Sequence, residues 1–267
     1  MAKTILITGA TDGIGLETAK LLAAGGHRVL LHGRSAAKLE AAAAAAGGEV
    51  ETYQADLSSL AQTEALAKAV GAVHGHLDVL INNAGVFKTP QPETADGLDV
   101  RFMVNTLAPY RLTRRLLPLM GSKGRVINLS SAAQAPVDPA ALGGPLLASD
   151  MDAYAQSKLA ITMWSRAMAA ELPQGPAVIA VNPGSLLASK MVKEGFGVAG
   201  NDLSIGAELL AAMAVSPEFA DVSGRYYDND AGRFGDPHPD ALDAGKTASV
   251  VAGVEAALDS LDQSAGN

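Results

Sequence analysis

"TILITGATDGIGLETAKLLAAGG" (Thr4–Gly26) opens on an apolar, β-branched run and closes on apolar residues at helical spacing. Gly9, Gly13 and Gly15 lie between the two. A switch of period across a glycine turn predicts a strand, a sharp turn and a helix. Glycines there permit the turn and the close approach of another group. The first N–H groups of the helix and its dipole attract an anion. A glycine triplet alone would be only a tight turn. Placed between the first strand and the first helix, it predicts a pyrophosphate site.

The rest of the chain repeats this alternation. Strand candidates are "RVLLH" (28–32), "EVETY" (49–53), "DVLIN" (78–82), "RVINL" (125–129), "AVIAV" (177–181) and "GRYY" (224–227). Helical stretches cover 14–24, 36–46, 59–72, 97–120 and 153–172. Several strands are apolar throughout, as parallel strands buried on both faces are. Right-handed βαβ units then build a doubly wound sheet. A (β/α)₈ barrel would need an eighth strand and has no use for the glycine turn. Two stretches rich in Pro or Gly, 132–152 and 189–203, read as mobile binding loops. No linker divides the chain, so residues 1–267 are read as one domain.

Composition narrows the function. Apolar residues make up 48%, enough for a large core, while the formal charge of −8 argues against a nucleic-acid partner. The absence of cysteine removes disulfides and thiolate chemistry. The five histidines show no metal-ligand spacing, so no metal is expected. No apolar run spans a membrane and no signal peptide precedes the first strand, which predicts a cytoplasmic protein.

"YAQSK" places Tyr154 and Lys158 four apart, on one face of a helix. "NLSSAAQ" places Ser130 and Ser131 at the end of the fifth strand. Taken alone, the first is a solvated pair and the second an ordinary turn.

Together the motifs carry more. "TGATDGIG" (8–15), "ADL" (55–57), "NNAG" (82–85), Asn105, "SS" (130–131), "YAQSK" (154–158) and "NPG" (182–184) follow one another in order. This series resembles the short-chain dehydrogenase/reductase family, single-domain type. "YAQSKLA", the 23-residue step from Ser131 to Tyr154 and "SGRYYDND" are most similar to its retinol-dehydrogenase-like branch. The resemblance implies a Rossmann fold with a doubly wound, seven-stranded parallel sheet and helices on both faces. It implies hydride transfer between a nicotinamide cofactor and a small apolar carbonyl or alcohol.

By the same resemblance Tyr154 is the general acid/base and Lys158 anchors the cofactor ribose. The Lys158 ammonium would also lower the phenol from its usual value near ~10. Ser131 would orient the substrate oxygen, with Ser130 as near alternative, and Asn105 would support a proton relay. Gly9, Thr11, Asp12, Gly13 and Ile14 would meet the cofactor phosphates; Asp56 and Leu57 its adenine; Asn83, Ala84 and Gly85 its ribose. Pro183, Gly184 and Leu186 would flank the nicotinamide. Gly33 stands where the family's NAD users often carry Asp, followed by Arg34 and Ser35, so NADP(H) is favoured over NAD(H). Asp12, in a turn where NADP users often carry a basic residue, weakens that preference. Ala188 replaces a carboxamide-binding Thr, with Ser189 as its substitute. Leu142, Leu146, Leu147, Met191, Val192 and Phe196 could line the substrate pocket. A homo-oligomer, dimer or tetramer, would form through helices 97–120 and 153–172. The alternative reading is a non-catalytic dinucleotide sensor or scaffold.

Overall fold

The computed structural model describes residues 1–144, 146, 147, 149–185, 187 and 200–265. Its strands are β1 (Thr4–Ile7), β2 (Arg28–Gly33), β3 (Val50–Gln54), β4 (Val79–Asn82), β5 (Arg125–Leu129), β6 (Ala177–Asn182), β7 (Tyr226–Asp228) and β8 (Arg233–Gly235). They form one sheet in the order β3-β2-β1-β4-β5-β6-β7-β8. The first seven are parallel, as expected. The eighth is a correction: β8 returns antiparallel to β7, pairing Tyr226 with Gly235 and Asp228 with Arg233. Three residues are too few to show a period in sequence.

The central strands feed both layers. Ile5, Ile7, Val29, Leu31, Val79 and Ile81 join a core with α1 (Gly13–Ala24) and α2 (Ala36–Ala46). A helix at Leu203–Val215, α7, completes that layer. Leu6, Leu30 and Leu80 face the opposite core, under α3 (Leu60–Val73) and the later helices. The strand order reverses between β1 and β4, and such switch points open a crevice at the carboxyl ends of strands.

The expected helix 97–120 is shorter and interrupted. It begins as α4 (Val100–Phe102), capped by the Asp99 carboxylate, widens into a π turn at Met103–Leu107 and continues as α5 (Ala108–Leu116). Pro109 is the local reason: lacking an N–H, it cannot bond the carbonyl four residues back, that of Asn105. The next helix, α6, spans Asp150–Glu171.

A final helix, α8 (Ala244–Ala265), has no counterpart among the expected elements. Its Val250, Val254, Ala257, Leu258 and Leu261 are buried with residues of α5 and α6. Tyr110 on α5 donates to Glu255 at 2.7 Å, and Arg111 pairs with Asp262. The same helix anchors the segment before α6. A 3₁₀ turn at Pro139–Leu142 lies on it, and a Cβ at Gly253 would meet Leu142 Cδ1 at 2.9 Å. Leu142 is therefore fully buried core, not pocket lining. Leu147 packs on that core and Leu146 is exposed. Met191, Val192 and Phe196 lie outside the described residues. Among the described residues, no helix is long and apolar enough to cross a membrane.

Candidate active site

The glycine turn is built against the loop after β4. Gly9 has φ 66°, and a Cβ there would lie 2.9 Å from Ala84 Cα. A Cβ at Gly15 would lie 2.4 Å from Asn83 Nδ2 and 2.5 Å from the Gly9 oxygen. The Asn83 amide donates to the carbonyls of Thr8 (2.8 Å) and Gly9 (3.0 Å). The Ala84 N–H donates to the Thr8 hydroxyl at 3.1 Å. Turn and loop are thus one hydrogen-bonded unit. The helix behind it begins at Gly13, also at positive φ, capped by the Asp12 carboxylate. The N–H groups of Ile14 and Gly15 are too early in α1 to have intrahelical acceptors. A cradle with no side chain at its glycines and outward N–H groups fits a dinucleotide pyrophosphate.

On the adjacent strand, β2, the chain holds a residue that the motifs did not mark. His32 is buried; its Nδ1 accepts the Gly9 N–H at 3.3 Å while Nε2 lies 3.0 Å from the Ala55 carbonyl. These partners fix the neutral tautomer, with the proton on Nε2. Burial lowers the imidazole pKa from 6.5 to about 4. A histidine closing an otherwise apolar strand was the available signal. At Gly33 a Cβ would come within 2.5 Å of Thr11 Cγ2, so a larger residue there would require the Thr11 side chain to turn. Arg34 is exposed, and Ser35 caps α2. Asp56 Oδ1 accepts from the N–H and hydroxyl of Ser58. Leu57 is buried in the core.

A second corner gathers at the ends of β5 and α6. Its two serines part ways. Ser130 is buried and donates to the Lys158 carbonyl at 2.8 Å, so it joins strand to helix. Ser131 stands beside Tyr154 and acts to lower the pKa of its phenol. The geometry thus selects Ser131 from the pair. Lys158 is buried, donates to the Leu129 carbonyl at 2.7 Å and lies 5.7 Å from the Tyr154 ring centre. Burial pulls its pKa down to about 8. The Tyr154 phenol departs from expectation: burial raises its pKa, with only Ser131 pulling the other way. The ammonium is engaged by a carbonyl and sits over the ring rather than at the hydroxyl. Phe87 packs against Tyr154, ring centres 5.1 Å apart.

Asn105 sits in the π turn and does not bond its own helix through its side chain. Its amide accepts from Val86 N–H at 2.8 Å and donates to Val86 O and to Ser157 Oγ at 2.9 Å. It therefore ties the β4 loop to α6. One turn earlier, Arg101 forks onto the buried Asp99 and reaches Asp150 in the first turn of α6.

After β6, Gly184 has φ 123° and its N–H donates to Asn182 Oδ1. The Asn182 amide donates to Asp228 and Asp230, and Ser185 to Asp230. Asn229 donates to the Pro183 carbonyl at 2.8 Å. The stretch "DND" after β7 thus holds the loop that carries Pro183. Leu186, Ala188 and Ser189 lie outside the described residues.

The short chain dehydrogenase family model matches residues 3–196. Retinol dehydrogenase 13 of Homo sapiens is 33% identical over 260 residues, covering 85% of this chain and 76% of the relative. A solved uncharacterized protein from Mycobacterium paratuberculosis has a TM-score of 0.80 at 30% identity, covering 96% of this chain and 92% of its own. Pseudomonas aeruginosa RhlG, solved as an NADP active-site complex, has a TM-score of 0.71 at 27% identity, covering 87% and 96%. Brucella melitensis 3-ketoacyl-(acyl-carrier-protein) reductase, complexed with NADH, has 0.66 at 27% identity, covering 85% and 96%. The span matched by the family model takes in the glycine turn, Ser131, Tyr154, Lys158 and Pro183.

Proposed function

Since the chain belongs to the short-chain dehydrogenase family, oxidoreductases that bind NAD(P), we propose that it interconverts a carbonyl and an alcohol with NADP(H) preferred and Tyr154 as general acid/base. The observation that supports this most is the meeting of Ser131, Tyr154 and Lys158 at one corner, at the strand ends beside the dinucleotide cradle. A bound nicotinamide supplies or accepts the hydride. Tyr154 gives its proton to the carbonyl oxygen in reduction and takes one from the alcohol in oxidation. Burial keeps the phenol protonated, which suits the donating role. Ser131 hydrogen-bonds the same oxygen and holds it as charge develops. Lys158 would hold the ribose hydroxyls, and Pro183 and Gly184 would flank the nicotinamide. Asn105 contributes its carbonyl, which Pro109 cannot bond, to a proton path towards Lys158.

The NADP(H) preference rests on Arg34, exposed after a strand that ends in Gly33 rather than an acid. A guanidinium suits a phosphate dianion. The substrate is a small apolar ketone, aldehyde or alcohol. A homo-oligomer remains part of the proposal, but one built on α5 and α6 would have to displace α8 or use what α8 leaves uncovered. Cytoplasmic residence also stays a proposal; recovery in a membrane pellet after fractionation would overturn it.

The deciding experiment is Tyr154→Phe, assayed by NADPH oxidation with a panel of ketones and aldehydes. The variant should bind NADPH as the wild type does and lose roughly 10²-fold to 10⁴-fold in kcat. Wild-type rates in the variant would end the mechanism. A wild-type kcat/KM favouring NADH would overturn the cofactor preference.

A further inference from the structure

The catalytic corner has a support that comes from far along the chain. Ser131 stands beside Tyr154, and its backbone carbonyl takes two donors. Gln134 Nε2 donates to it at 2.9 Å, and the Tyr226 hydroxyl of β7 at 3.1 Å. Gln134 is fixed in turn, its Oε1 accepting the His238 N–H at 3.2 Å. Tyr226 is buried, and its phenol is pushed well above its usual value by burial, with Asp228 and Asp230 adding to the shift. Its raised pKa favours the protonated phenol that donates this bond. The Ser131 Oγ also accepts the Ala133 N–H at 3.1 Å, so carbonyl and hydroxyl are set by one short turn.

We propose that Tyr226 and Gln134 are positioning residues for the reaction, aiming the Ser131 hydroxyl at Tyr154 by clamping the Ser131 carbonyl. The Tyr226 and Gln134 side chains act through Ser131, and β7 and the segment that follows it become part of the catalytic apparatus. The inference rests on the proposed roles of Ser131 and Tyr154. It also makes a demand that simple structural support would not. Ser131 is the group that pulls the Tyr154 phenol down. A displaced Ser131 leaves the phenol higher, so the activity of alcohol oxidation should rise at more alkaline pH.

The test is Tyr226→Phe, which removes one hydroxyl and keeps the ring, with Gln134→Met as a second variant. Each should lose about tenfold in kcat, as small misplacements of reacting groups do. The KM for NADPH should stay within about twofold. In Tyr226→Phe the kcat/KM profile for oxidation should move to higher pH. Hydrogen exchange supplies a readout free of turnover: amides 131–135 should exchange faster in both variants while those of β1 and α1 do not. If both variants keep wild-type kcat and pH profile, the proposal fails. If exchange quickens as described but the wild type reduces no carbonyl, the clamp stands and the proposed function fails instead.

Discussion

The glycine turn and the catalytic corner sit at the same edge of one sheet, yet they are made differently. The turn is local chemistry: three glycines, an Asp12 cap and an Asn83 amide that bonds two carbonyls of β1's exit. The corner is assembled from four distant stretches. Ser131 follows β5, Tyr154 and Lys158 ride on α6, Asn105 comes from the π turn, and Tyr226 from β7. Its outer support, the 3₁₀ turn at Pro139–Leu142, rests on the last helix of the chain. The glycines of a ligand cradle can be written into eight adjacent residues, with one distant loop to brace them. A proton-transfer site of this kind needs the whole fold in place first.

That contrast can be broken. The largest effect should come from Leu142→Ala, which opens a cavity in the fully buried contact with α8 and costs about 3 kcal/mol of stability. Urea unfolding measures it, and NADPH affinity should stay within about twofold because the cradle is untouched. A variant of normal stability with an altered substrate KM would return Leu142 to the pocket.

Acid should find the weak point of the other region. The folded pKa of His32, about 4, lies below its unfolded value of 6.5, so the native state resists the proton that the unfolded chain accepts. The stabilisation is complete above about pH 6.5 and is lost as pH falls towards 4, at most about 3 kcal/mol. Thermal unfolding across that range should show the decline, and His32→Gln should flatten it. An identical slope in the variant would clear His32 of the effect.

Gly15→Ala should cost about 2 kcal/mol, because its methyl would press on Asn83 and on a backbone oxygen that cannot yield. Isothermal titration should also show NADPH affinity falling more than tenfold. Affinity preserved would mean the cradle is looser than its contacts imply. The smallest effect is expected from Asp12→Ala: about 1 kcal/mol for a lost cap, with the NADPH-to-NADH ratio of kcat/KM rising as a carboxylate leaves the phosphate region. An unchanged ratio would place Asp12 out of reach of that phosphate.

The same contrast decides what could be read from sequence. Gly9, Gly13 and Gly15 announced the turn because glycine at positive φ or under a 2.4 Å contact leaves no alternative residue. Parallel strands were visible as apolar runs. Tyr154 and Lys158 were visible as a helical pair, but only the family pattern singled them out. Gln134 and Tyr226 were silent, since their partners are distant carbonyls and backbone N–H groups that no spacing encodes, and His32 showed only as a histidine near the end of the second strand. The family pattern already favours Ser131 over Ser130, and the α6 carbonyl that claims Ser130 supplies the physical reason. The expected drop in the phenol's pKa is reversed, because burial depends on packing and Lys158 has another oxygen to serve. Helix α8 escaped notice because small residues fill so much of it, and what identifies it is the groove it covers.

The π turn makes this helix unforgiving of changes in its length. Its five residues, Met103–Leu107, follow Arg101, which reaches Asp150 at the start of α6, and they include Thr106, which bonds the Ser157 carbonyl further along α6. Taking out one residue, such as Val104, would rotate everything before it by about 100° relative to everything after. Arg101 would then swing off Asp150, or Asn105 would leave Val86; no ordinary α-helix satisfies both. Chains descended from this one can vary the faces of the helix, but its count of residues between Asp99 and Pro109 should be the last thing to drift.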